Sequence, residues 1–109
     1  MPNHKFSARS RSTYKTTRFS VLPESVDKCQ AAIREFVAWV KSNEPGTRWY
    51  ISLQDQRDST QFLHVMIFED KAAEERHRTS QATRRFVEVL YPELAEPAQF
   101  TDCNVIASA

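Results

Sequence analysis

The run Gln61-Phe62-Leu63-His64-Val65-Met66-Ile67-Phe68-Glu69 decides the architecture. Alternation along a strand sends Phe62, His64, Met66 and Phe68 to one face and Leu63, Val65 and Ile67 to the other. Both faces are apolar, so the segment reads as a strand buried on both sides and central in its sheet.

Working upstream, residues 55–60 are all polar and predict a hairpin connection. Before them lies a strand over residues 47–55, with Trp49, Ile51 and Leu53 on one face and Arg48, Tyr50, Ser52 and Gln54 on the other. Glu44-Pro45-Gly46 breaks a preceding helix, because Pro45 has no N–H to donate and Gly46 is free to take positive φ. That helix, to about Asn43, carries Val26, Cys29, Ala32, Ile33, Phe36, Val37 and Val40 at the spacing of one apolar stripe, with Ser25 as its expected N-cap. Pro23 closes a first strand over residues 14–22, and residues 1–13 lack hydrophobic period and read as an arm.

Downstream, Asp70 caps a second helix whose inner line runs Ala73, His77, Ser80, Arg84 and Val87, flanked by Phe86 and Leu90. Pro92 and Pro97 bound the link to a fourth strand over residues 98–107. The resulting order, β-α-β-β-α-β with short links, is the split βαβ of ferredoxin-like α+β domains. Right-handed crossovers then place strands one and three in the centre of an antiparallel sheet, with both helices on one face. Because β3 is apolar on both sides, the uncovered face would carry a large apolar patch on a free monomer. Soluble chains avoid such a patch, and the core of so short a chain barely offsets its ordering entropy. A homodimer, two sheets closing a barrel-like interface with helices outside, is the expected remedy.

Composition narrows the function. Fifteen Lys and Arg against fourteen Asp and Glu give no global basic charge. Up to Arg18 there are basic residues (Lys5, Arg9, Arg11, Lys15, Arg18) and no acidic one, but base-stacking aromatics are not interleaved, so nucleic acid is not the expected partner. No apolar run approaches the roughly 18 residues of a membrane span, and no secretory h-region opens the chain, which makes the cytoplasm the default compartment. Cys29 and Cys103 fit no disulfide framework or zinc spacing and read as small buried apolar residues. A single glycine, Gly46, excludes the phosphate loops of nucleotide folds.

The segments Arg18-Phe19-Ser20-Val21, Asn43-Glu44-Pro45-Gly46-Thr47 and Trp49-Tyr50-Ile51-Ser52-Leu53 follow one another in an order and spacing that resemble the antibiotic biosynthesis monooxygenase family, including its quinol monooxygenases. The likeness continues through Phe62 to Phe68, Glu69-Asp70, Ala72-Ala73, His77 and residues 86–97, and covers about residues 16–107. It implies a dimeric α/β barrel with a hollow between each sheet and its helices. There an electron-rich phenol or quinol would react with O2 without metal, flavin or haem, the protein supplying a base, an apolar pocket and exclusion of water.

His77 is the candidate base, an imidazole on the inner line of helix two. The structural alternative is a core histidine hydrogen-bonded to a strand residue or a backbone carbonyl. Candidates for contact with a small aromatic substrate are His64, Tyr50, Trp49, Phe62, Phe68 and Arg84. Tyr50 and Trp49 occupy opposite faces of strand two, so only one can line the hollow. His64 joins His77 if the Phe62–Phe68 face looks toward the helices and becomes an interface residue if it looks toward the partner. Alternation leaves both open. The competing functional class is a non-catalytic module of the same fold that binds a small hydrophobic ligand or only dimerises.

Overall fold

The computed structural model describes residues 11–109. Lys5 and Arg9 of the expected arm lie outside the described residues. The elements are β1 (Thr13–Ser20), α1 (Val26–Asn43), β2 (Thr47–Gln54), β3 (Gln61–Phe68), α2 (Lys71–Thr79), α3 (Gln81–Leu90) and β4 (Gln99–Cys103), with 3-10 turns at Pro23–Ser25 and Tyr91–Glu93. The sheet order is β2-β3-β1-β4, every neighbouring pair antiparallel, so β1 and β3 hold the centre as expected.

Register decides which face meets the helices. Phe62, His64, Met66 and Phe68 stand opposite Phe19, Thr17, Lys15 and Thr13 of β1, and Gln54, Ser52 and Tyr50 of β2 stand opposite Phe62, His64 and Met66. This is the helix side: Phe19, Val21, Phe62, Cys29, Ile33 and Leu90 form one buried cluster there. The stacked rings of Phe19 and Phe62, 5.3 Å apart, tie the two central strands. Leu63, Val65 and Ile67 are only half-buried on the other face, beside Trp49, 52% exposed, and Leu53, 45% exposed. No helix among the described residues covers them.

Several expectations need correction. The second helix is two: Ser80, with ψ 152, ends α2 and caps α3, its hydroxyl accepting from the Thr83 N–H at 3.1 Å. A serine hydroxyl offers the backbone an alternative to continued helix, and the break divides the expected stripe. Ala73 and His77 are buried on α2, Ala82 and Leu90 on α3, while Arg84 is exposed. Ser25 does not cap α1 by side chain; its Oγ donates to Glu93 at 2.6 Å. Gly46 does not have positive φ. Its value is size, since a Cβ there would lie 2.7 Å from Ala73 Cβ. β4 stops at Cys103 rather than at residue 107, and Cys103 is exposed because the edge strand leaves it uncovered. Asp70 caps α2 as expected, accepting from the Ala73 N–H at 2.8 Å. No helix among the described residues is long and apolar enough to cross a membrane.

Candidate functional site

Two imidazoles and a phenol meet between the sheet and the helices. His77 comes from the last turn of α2, and its Nδ1 lies 2.7 Å from Glu44 Oε1. Glu44 occupies the C-cap of α1, its N–H bonded to the Val40 carbonyl. Thr47 Oγ1 donates to the same Glu44 oxygen at 2.7 Å. The side chains of His77 and Glu44 are each 10% exposed, and Glu44 Oε2 is buried with no protein partner. The turn at Pro45 and Gly46 is what brings the carboxylate here, because the small glycine lets the chain pass against Ala73 one turn before His77.

Tyr50 projects from β2 on the helix side, its hydroxyl 2.8 Å from His64 Nδ1. His64 is 2% exposed, and burial lowers its pKa to about 4, so the ring is neutral near pH 7. Burial, helped by the negative charge of Glu44, pushes the Tyr50 phenol well above its usual value. The pair is therefore a neutral hydrogen bond in a dry setting. His64 Nε2 is buried without a partner.

Aromatic rings enclose these groups. Phe68 lies 5.1 Å from His77 between ring centroids, Phe36 at 5.7 Å and Tyr50 at 5.6 Å. Phe36 stacks on Phe86 at 4.4 Å and 3°, and Phe19 meets His64 edge-on at 5.0 Å. The interior beside His64 is thus packed with rings. Space opens at its margins. A hollow of about 160 Å³ has His77, Glu44, Trp39 and Arg76 among its walls. A groove of about 500 Å³ runs between α1 and β2, floored by Ile33, Val37, Tyr50 and Phe62.

Of the residues expected at the site, His77, His64, Tyr50, Phe68 and Phe62 share the helix side. Trp49 lies on the opposite face, and Arg84 is exposed on α3. Glu44, Phe36 and Phe86 were not among the expected site residues. The signal for Glu44 was its place before the Pro-Gly turn, though the 33 residues between it and His77 hide the pairing. Among the described residues no group of three or more His, Cys, Asp or Glu side chains is placed to hold a metal ion.

The family model described as antibiotic biosynthesis monooxygenase matches residues 13–89. Solved structures share the fold at low identity. An antibiotic biosynthesis monooxygenase is 20% identical with a TM-score of 0.80, over 87% of this chain and 99% of its own. Rv0793 from Mycobacterium tuberculosis is 16% identical with a TM-score of 0.81, over 90% and 98%. PA3566 from Pseudomonas aeruginosa is 24% identical with a TM-score of 0.76, over 89% and 96%. No curated protein matches the sequence.

Proposed function

The chain belongs to the antibiotic biosynthesis monooxygenase family, and we propose that as a homodimer it oxidises a small phenol or quinol with O2, using no metal, flavin or haem. The observation that carries this reading is the Glu44–His77 pair, a buried carboxylate 2.7 Å from one imidazole nitrogen within a ring of aromatic side chains. With Nδ1–H donated to Glu44, Nε2 is the nitrogen left to accept a proton.

The chemistry asked of the protein is small. A substrate hydroxyl gives its proton to His77 Nε2, and the resulting phenolate is electron-rich enough to reduce O2 itself. One oxygen atom becomes a carbonyl on a ring carbon and the other leaves as water. The substrate is the only reductant, and a dry aromatic setting protects the reactive intermediates. Tyr50 and His64, both neutral, supply a polar edge without adding charge.

Oxygen uptake by metal-free protein with a panel of phenols and quinols tests the proposal. His77→Ala is expected to lower the rate by about a hundredfold or more, the usual scale of a lost acid-base group. Equal uptake by variant and parent would remove His77 from the mechanism. One observation favours the dimerising form of the competing reading, a module without turnover: Phe19, Tyr50 and Phe86 pack around His64 and the hollow at His77 is about 160 Å³, below the size common for ligand pockets. Tight ligand binding with no uptake across the panel would support the binding form instead.

A further inference from the structure

The groove between α1 and β2 carries a charge pattern that the proposed reaction leaves unexplained. Its floor is apolar, and one flank is the α1 line Arg34, Ala38 and Lys41. These positions are spaced four and three residues apart and share one helix face. Ala38, between the cations, leaves open the space a longer side chain would fill. No Asp or Glu lines the groove. Among the described residues the ion pairs use Lys15, Lys28, His77 and Arg78, and neither Arg34 nor Lys41 takes part in one. At one end Gln30 Nε2 donates to Gln54 Oε1 at 2.9 Å, bridging α1 and β2. The volume of about 500 Å³ falls in the range of small-molecule sites.

Exposed helix cations are commonly just solvated. Here both flank an apolar trough without a counter-charge, and cations of one sign above a low-dielectric wall concentrate their field in the space between. We propose that this groove binds a small aromatic carboxylate, the ring on Ile33, Val37 and Phe62 and the anionic group between Arg34 and Lys41. The groove and the hollow at His77 share no lining residue, so the inference goes beyond the oxygenase reading and adds a binding site for an aromatic anion beside the proposed centre. Tyr50 joins the two regions: it lines the groove and lies 5.6 Å from His77 between ring centroids.

The test is binding of 2,5-dihydroxybenzoate and of its neutral methyl ester, each titrated against the 15N-labelled full chain at low and high salt. The acid is expected to bind about fivefold more tightly than the ester, a ratio set by two half-solvated ion pairs, and the advantage should shrink as salt rises. In the Arg34→Gln/Lys41→Gln double variant the acid should fall to the affinity of the ester, whose own binding stays unchanged. Ala38→Leu, on the helix surface, should weaken both ligands and shift signals from the groove. Equal affinity for acid and ester, a preference that survives the double variant, or no binding of either overturns the proposal. Oxygen uptake measured alongside separates it from the broader reading: charge-selective binding without uptake fails the oxygenase only, and uptake with no charge preference fails this inference only.

Discussion

His64 shows how much a single side chain depends on its surroundings. Alternation along β3 sets its companions, Phe62, Met66 and Phe68, but is silent on which side they face. Thr17 and Ser52, its neighbours in the sheet, and Phe86 above it resolve the question. The ring is buried and held near pKa 4, so the pH dependence of folding has a definite sign. Unfolded, the imidazole titrates near the ordinary histidine value of 6.5; between there and about 4 the unfolded chain binds the extra proton. Stability should therefore fall as pH drops through that window, by up to about 3 kcal/mol, and this contribution should be constant at lower pH. Urea unfolding of the parent and of His64→Gln at pH 7 and pH 4.5 measures it. A pH dependence equal in both would place the burial effect elsewhere. Glu44 is the opposite case. Its helix-breaking neighbours were plain in the sequence, but a partner 33 residues away was not, because pairing over that distance is a property of packing.

At the scale of elements, helix one, the hairpin and the central strands follow from periodicity, and their bounds agree to within a residue or two. The second helix does not. Its stripe runs on smoothly through Ser80, and only the competing hydrogen bonds of the Ser80 and Thr83 side chains end α2 and start α3. That break leaves His77 in a last turn, near Glu44, instead of in mid-helix. The turn after α1 has a similar lesson. Gly46 was read for conformational freedom, yet it is needed for clearance from Ala73. Gly46→Ala should cost about 1–3 kcal/mol through overpacking, and adding Ala73→Gly should recover a large part of that loss. Thermal denaturation of the two single variants and the double variant closes the cycle. An additive result would refute the contact.

For the whole molecule, the open sheet face governs behaviour in solution. Trp49, Ile51, Leu53, Leu63, Val65 and Ile67 form an apolar surface that the helices among the described residues leave uncovered. The homodimer of the proposed function would bury it. Sedimentation is expected to give a dimer for the parent, and Val65→Glu, at the middle of that face, should yield a folded monomer because an unpaired carboxylate in an apolar interface is strongly disfavoured. A parent that sediments as a monomer would refute the dimer. The sequence by itself determined the order of elements, the central place of β1 and β3 and the apolar character of both faces of β3, because these are local matters of period, turn chemistry and crossover handedness. Only the tertiary structure decided that His64 and Tyr50 face the helices with His77, that Trp49 does not, and that Glu44 is the carboxylate beside His77. Those outcomes depend on strand register and on the close passage of a glycine turn past α2, which arise when distant segments pack.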